Sequence, residues 1–180
     1  MSFPTEAKLF QQAFESPFIK NVVEALIYPT VAYIEPKGFF GIPDLVVANL
    51  SNSDIKLEVF RTFAFEMKLS NWKRALVQAY RYRAFVNFSF VVLDRCNIKP
   101  ALIHIDQFVL SNIGLISIDS TGFMSLHYFP NHDDPYSMSL KQKLENMILQ
   151  QDILHAKKWL KKPITEPLNL TTFNCAPILM

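Results

Sequence analysis

The sequence predicts an α/β protein built around a buried β-sheet. Half of its 180 residues are hydrophobic and sixteen are Phe, so the chain can bury a substantial core. Helix-like patterns flank and separate the strand-like ones. One run, FSFVVLD at residues 88–94, is almost continuously apolar, as expected of a strand buried on both faces. We expect residues 1–180 to form one domain.

Two helices and four strands are expected in the N-terminal part of the chain. Residues 5–15 have apolar side chains at helical spacing behind Thr5, which is a suitable N-cap. Ser16-Pro17 indicates a break and the start of a second helix, which continues to Tyr28-Pro29. Strand patterns cover 30–36, 42–50, 55–60 and 62–69, with turns at Lys37-Gly38 and at 51–54.

The C-terminal part is expected to add helices, the strand at 88–94 and a hairpin. A helix begins at Ser70 or Asn71. Its apolar stripe is Trp72, Ala75, Leu76, Ala79 and Tyr80, and another face carries Arg74, Gln78, Arg81 and Tyr82. After the strand come a short helix within 100–113, a hairpin of 114–119 with 123–129, and an amphipathic helix over 139–162 that ends before Pro163.

Composition and missing motifs argue against several functional classes. The two cysteines, Cys96 and Cys175, are far apart and form no CxxC pair, which argues against zinc fingers and disulfide scaffolds. No GxGxxG, P-loop or GxSxG motif is present, so nucleotide-cofactor and serine-hydrolase chemistry have no support in the sequence. The sequence has no signal-like N-terminus and no apolar run long enough to span a membrane. We therefore expect a cytoplasmic protein that has no contact with membranes.

Positive charge is concentrated in two parts of the chain, although the net charge is only +2. Residues 61–100 contain eight Lys and Arg against two Asp and Glu, whereas residues 1–60 contain four against seven. Further lysines surround Trp159 near the C-terminus. Such blocks can attract a polyanion or can be ordinary solvated helix surfaces, so the pattern leaves both interpretations open.

A pair of charges, Glu66 and Lys68, interrupts the apolar strand FAFEMKL. Because strand side chains alternate between faces, these two point to the same side, whereas Phe65 and Met67 point to the other. Asp44 begins another strand after Pro43, and adjacent strands would bring it to Glu66 and Lys68. Two carboxylates beside an ammonium group suit a Mg²⁺ site for phosphate chemistry.

The tripeptide Glu-x-Lys carries little information by itself, because the chain contains it three times. The copy at Glu6-Ala7-Lys8 fits an exposed helix face, and the copy at Glu35-Pro36-Lys37 fits a turn. Only Glu66-Met67-Lys68 lies in an apolar strand, follows a Pro-Asp strand start and leads directly into a helix.

The order of these motifs resembles the PD-(D/E)xK nuclease superfamily, which has a restriction-endonuclease-like fold. The matching elements are Pro43-Asp44, Glu66-Met67-Lys68 after twenty-one intervening residues, the helix NWKRALVQAYRY and the strand FSFVVLD. Gln78 and Tyr82 have the Q-x-x-x-Y spacing that also occurs in RecB-like members. The resemblance covers about residues 20–95, which leaves about 100–180 as a C-terminal extension containing the hairpin and the long helix.

The resemblance implies a central mixed sheet flanked by helices and Mg²⁺- or Mn²⁺-dependent hydrolysis of phosphodiester bonds in DNA. Asp44, Glu66 and Lys68 would be the catalytic residues. Asp44, Glu66 and the backbone carbonyl of Met67 would bind the metal, with Glu24 from the first helix, ahead of Glu15, as an additional ligand. Gln78 and Tyr82 would line the site or contact substrate, and Arg74 and Arg81 are further candidates for substrate binding.

Three functions remain open at this stage. The protein is expected to be a metal-dependent DNA endonuclease, and a homodimer would be favoured if it cuts both strands. The alternatives are a binding module for DNA or protein that keeps the nuclease fold without catalysis, and a hydrolase of small phosphoesters that uses the same ligands.

Overall fold

One β-sheet of six strands forms the centre of the described part of the protein. The computed structural model describes residues 2–24, 28, 30–36, 41–53 and 56–159. The strands are β1 Thr30–Ile34, β2 Leu45–Ser53, β3 Lys56–Lys68, β4 Phe88–Asp94, β5 Gly114–Ile118 and β6 Met124–Tyr128. The helices are α1 Glu6–Glu15, α2 Pro17–Val22, α3 Trp72–Tyr82, α4 Lys99–Ile103, α5 Ile105–Ser111 and α6 Met138–Trp159.

The strands lie in the sheet in the same order as in the sequence. The pairs β1–β2, β2–β3 and β5–β6 are antiparallel, whereas β3–β4 and β4–β5 are parallel. A helical crossover therefore follows β3 and another follows β4, as parallel neighbours require. The prediction of an α/β protein with a mixed sheet and flanking helices is confirmed.

The two faces of the sheet bury different cores. On one face, Ala64 of β3 packs with the buried side of α3 and with Leu144 and Ile148 of α6. On the other face, Phe63, Phe65 and Met67 of β3 pack with residues of α1 and α2. Side-chain alternation along β3 produces this division, and it assigns Glu66 and Lys68 to the α3 face.

The start of the chain follows the predicted caps. The Thr5 side chain accepts a hydrogen bond from the Lys8 N–H at the start of α1. The Ser16 side chain accepts one from the Phe18 N–H, and Pro17 occupies the first turn of α2. Helix α2 ends at Val22, which is earlier than predicted, and residues 25–27 and 29 lie outside the described part.

The predictions for two other segments were wrong. Residues 55–60 and 62–69 were expected to form two strands, but β3 is continuous because β2 pairs with it from Ser53 to Leu45. Residues 51–53 therefore belong to a strand rather than to a turn. The single helix expected within 100–113 is divided at His104, whose backbone leaves helical geometry. The His104 ring stacks on the Trp72 ring, with 5.3 Å between the ring centroids.

The buried stripe of α3 differs from the predicted one at its C-terminal end. Tyr82 is completely buried, whereas Tyr80 is 48 % exposed and its ring lies 6.3 Å from that of Tyr136. Tyr82 follows the buried Ala79 by three residues, so it continues the stripe over the sheet. The burial of Tyr82 instead of Tyr80 brings a phenol hydroxyl to the sheet face that carries Glu66.

The C-terminal part of the chain is described up to Trp159. The hairpin of β5 and β6 and the long helix α6 lie where they were predicted. The tail from 163 to 180 and the side chains of the lysines around Trp159 lie outside the described residues. No helix in the described ranges combines the length and the apolar character needed to cross a membrane.

Candidate active site

The pairing of β2 with β3 brings Asp44 beside Glu66. Leu45 pairs with Phe65 in the antiparallel register, so Asp44, which directly precedes Leu45, lies level with Glu66. The Asp44 carboxylate accepts a hydrogen bond from the Met67 N–H, with 2.7 Å between Oδ2 and N. The expected approach of these two strand ends is confirmed, and the backbone of Met67 fixes the position of the aspartate.

Lys68 completes the cluster on the same face. Its Nζ lies 2.9 Å from Glu66 Oε1 and donates to the Met67 carbonyl oxygen at 3.2 Å. The Glu66 side chain is only 1 % exposed and that of Lys68 is 15 % exposed. The two charges therefore form a nearly buried pair, in which the ammonium group bridges a carboxylate and a backbone carbonyl.

Tyr82 contacts Glu66 from helix α3. Its hydroxyl donates to Glu66 Oε2 at 2.5 Å, and the carbonyl oxygen of Ile42 lies 3.1 Å from the same hydroxyl. Burial, together with the hydrogen bond and the negative charge of Glu66, raises the pKa of Tyr82 far above its usual value. The phenol therefore stays protonated and serves as a hydrogen-bond donor to the carboxylate.

The two carboxylates of the cluster repel each other. Burial, followed by the charge of Glu66, raises the pKa of Asp44 to about 6, although the Met67 N–H and Lys68 act in the opposite direction. Burial also works against the charged form of Lys68, but the hydrogen bond and charge of Glu66 outweigh it and raise the pKa of Lys68. The ammonium thus neutralises only part of the negative charge gathered here.

The residues of this cluster fit a hard divalent cation. Mg²⁺ is usually bound by one or two carboxylates and completes its shell with water and substrate phosphates. Asp44, Glu66 and the Met67 carbonyl provide two carboxylates and one neutral oxygen, and the Lys68 ammonium already lies against two of these three groups. A larger ligand set is absent: within the described ranges, no three or more His, Cys, Asp or Glu side chains form a group that could hold a metal ion.

Glu6, rather than Glu24, is the helical glutamate near this cluster. The Glu24 carboxylate lies 2.8 Å from Nη1 of Arg61, and Arg61 precedes Glu66 on β3 by roughly 16 Å of extended strand. The structure therefore places Glu24 away from the cluster, contrary to the prediction. Glu6, in the first turn of α1, lies 3.6 Å from Lys68 Nζ and is half exposed.

Asp94 holds the start of the chain near Lys68. This buried aspartate at the end of β4 accepts hydrogen bonds from the Phe3 N–H at 3.0 Å, from the Ser2 hydroxyl and from the Cys96 N–H at 2.9 Å. Leu93, which precedes it, pairs with Lys68 across β3 and β4. The contacts of Asp94 therefore bring the first turn of α1, with Glu6, to the cluster.

The four residues predicted to bind substrate fall into two places. Tyr82 belongs to the acidic cluster, whereas Arg74, Gln78 and Arg81 line a groove beside α3 together with Lys73 and Val77. All five lining residues belong to α3, so this groove is a shallow depression along the solvent side of one helix. The Gln78 Oε1 atom is buried and has no hydrogen-bond partner among the described residues.

Comparisons with known proteins give no relative for this chain. No protein-family model matches it, no curated protein matches it and no solved structure matches it. The residues of the cluster and of the groove are therefore the observations that bear on function.

Proposed function

We propose that this protein is a Mg²⁺- or Mn²⁺-dependent DNA endonuclease that hydrolyses phosphodiester bonds. The observation that carries the proposal is the proximity of Asp44 to the Glu66–Lys68 pair where β2 begins and β3 ends. Two carboxylates that repel each other beside a lysine match what metal-assisted phosphodiester hydrolysis requires. The positive block at residues 61–100, which includes Arg74 and Arg81, favours a polyanionic substrate.

Each residue of the cluster has a chemical task in this proposal. Asp44, Glu66 and the Met67 carbonyl would hold the metal, and the chemistry supplied there would be polarisation of the phosphate and a lower pKa of the attacking water. Lys68 orients that water and stabilises negative charge on the phosphate in the transition state. Tyr82 keeps Glu66 oriented through the hydrogen bond from its hydroxyl.

We further propose that the core has the restriction-endonuclease-like fold. Its support is the order of α2, three antiparallel strands β1 to β3, α3 and the parallel strand β4. The cluster lies where β2 begins and β3 ends, and α3 follows at once.

The nuclease proposal is tested by cleavage of plasmid and of branched or single-stranded DNA with Mg²⁺ or Mn²⁺. Lys68→Ala and Glu66→Ala should each reduce the cleavage rate by about a hundredfold or more, because each removes a group that acts in the transition state. Lys99→Ala is the control, because Lys99 is an exposed lysine on α4. Circular dichroism of all variants identifies loss of fold. Cleavage that persists unchanged in both cluster variants would exclude this assignment.

A non-catalytic DNA-binding module is the second candidate function. The groove beside α3 supports it, because Lys73 and Arg74 do not depend on the acidic cluster for their charge. The two functions differ in one measurable property: a binding module retains DNA affinity but has no Mn²⁺ affinity that depends on Asp44.

A further inference from the structure

Both oxygens of the Glu66 carboxylate already contact a hydrogen-bond donor. Oε1 lies 2.9 Å from the Lys68 Nζ, and Oε2 accepts from the Tyr82 hydroxyl. The same ammonium donates to the Met67 carbonyl oxygen at 3.2 Å. It therefore contacts two of the three groups assigned to the metal. An ammonium and a divalent cation repel each other strongly at such short range, so a cation that binds here displaces one donor of Glu66.

Lys68 is the donor that can leave Glu66. Tyr82 is completely buried, so the packing of its ring holds the hydroxyl in place. The Lys68 side chain is 15 % exposed and carries its charge on a flexible four-carbon stem. An ammonium that leaves its carboxylate in such a partly buried position needs another acceptor, because an unpaired charge away from water is costly.

Glu6 provides this second acceptor. Its carboxylate lies 3.6 Å from the Lys68 Nζ, and it forms no other ion pair in the described part of the chain. Helix α1 packs on the face of the sheet opposite α3, so Glu6 and Glu66 approach the ammonium from different sides of β3. We infer, on the basis of the function proposed above, that Glu6 is a positioning residue that takes the Lys68 ammonium from Glu66 when the cluster binds a divalent cation.

Buried contacts hold the backbone of Glu6 at the end of β3. Asp94 is completely buried and accepts hydrogen bonds from the Ser2 hydroxyl and the Phe3 N–H. Phe3 is itself part of the core on this face of the sheet, and Thr5 caps the helix that Glu6 begins. An acceptor that is already held in place loses less conformational freedom when it forms the new ion pair.

The charges of the loaded cluster balance when Glu6 is included. Asp44, Glu66 and Lys68 together carry one negative charge, which a divalent cation would convert into one positive charge. The Glu6 carboxylate brings the total to zero. Lys68 paired with Glu6 also stays charged and close to the cation, as its proposed task in the transition state requires.

A positioning role of Glu6 and a role as metal ligand differ in their dependence on Lys68. If Glu6 acts through the ammonium, its removal changes metal affinity only while Lys68 is present. If Glu6 binds the metal itself, its removal has the same effect with and without Lys68. A double-mutant cycle over the two residues therefore separates the two roles.

The test is calorimetric titration with Mn²⁺ of Glu6→Gln in the wild-type and Lys68→Met backgrounds. In the wild type, Glu6→Gln should raise Kd about three- to fivefold, the size expected for loss of a partly exposed ion pair. In Lys68→Met, the same substitution should change Kd by less than about 1.5-fold. Lys68→Gln, which keeps a hydrogen-bond donor for Glu66, is a second neutral background and should give the same result. Glu15→Gln is the control, because it removes an exposed carboxylate from the other end of α1 and should leave Kd unchanged.

Two results would overturn this inference and leave the proposed metal centre intact. The first is an equal Kd for the wild type and Glu6→Gln. The second is a rise in Kd that is equally large in all three backgrounds, which would make Glu6 a metal ligand instead. A wild-type protein without Mn²⁺ affinity would overturn the metal centre and this inference together, so the failure of the two proposals can be told apart.

Discussion

Two buried polar groups on the α3 face of β3 are satisfied in opposite ways. Thr62 and Glu66 are four residues apart and only 3 % and 1 % exposed. Thr62 exchanges hydrogen bonds with Asn87: the Asn87 Oδ1 accepts from the Thr62 N–H and hydroxyl, each at 3.0 Å, and the Asn87 N–H donates to the Thr62 hydroxyl oxygen at 3.1 Å. Glu66 instead meets a second carboxylate, a lysine and a phenol.

The comparison shows which of the two polar residues, Thr62 or Glu66, stabilises the fold. The bonds between Thr62 and Asn87 are neutral and mutual, so they stabilise the junction of β3 and β4 without burying a charge. The carboxylates of Asp44 and Glu66 are brought together although each raises the energy of the other. The repulsion between these two carboxylates costs the folded chain stability, which is typical of a functional site.

Asn87→Ala should have the largest effect on stability. It leaves the Thr62 N–H and hydroxyl buried without their partner, so the free energy of unfolding should fall by about 2–4 kcal/mol. Urea denaturation measures this change. Asn146→Ala, at an exposed position of α6, should stay within about 0.5 kcal/mol of the wild type. If the two variants were equally stable, the contact between Thr62 and Asn87 would not have the structural role assigned to it.

Asp44→Asn should have a smaller effect, of the opposite sign. The asparagine can still accept the hydrogen bond from the Met67 N–H but carries no charge, so the metal-free protein should gain roughly 1–2 kcal/mol at pH 7 after allowance for solvent screening.

The sign of this effect follows from the raised pKa of Asp44. Between its usual value of 3.8 and about 6, the folded protein keeps a proton on Asp44 that the unfolded chain has released. Stability from this group is therefore present below pH 3.8 and is lost as the pH rises through this window. The gain of Asp44→Asn over the wild type should grow from pH 4 to pH 7 in denaturation curves. A gain that is independent of pH, or a loss at pH 7, would contradict the electrostatic account.

Local patterns in the sequence were sufficient for part of this site. Strand alternation predicted that Glu66 and Lys68 share a face, and adjacent strands were enough to bring Asp44 to them. No local pattern in the sequence predicted the contacts of Glu6 and Asp94. Asp94 binds the N–H of a residue 91 positions away, and this contact depends on how α1 packs against the finished sheet.

The position of Tyr82 was only partly predictable from the sequence. The helical period alone did not decide whether Tyr80 or Tyr82 is buried, because both lie near the edge of the apolar stripe. The hydrogen bond between Tyr82 and Glu66 identifies the buried tyrosine, and it exists only once α3 lies over β3. The signal available in the sequence was the spacing between Gln78 and Tyr82.

Calorimetric titration with Mn²⁺ tests the central claim most directly, because it measures metal binding at Asp44 and Glu66 without requiring cleavage of DNA. The wild type should bind Mn²⁺, Asp44→Asn should bind it at least tenfold more weakly, and Asp106→Asn, at an exposed position of α5, should behave as the wild type. A wild-type protein that does not bind Mn²⁺, or an Asp44→Asn variant that binds it equally well, would contradict the assignment of this cluster as a metal centre.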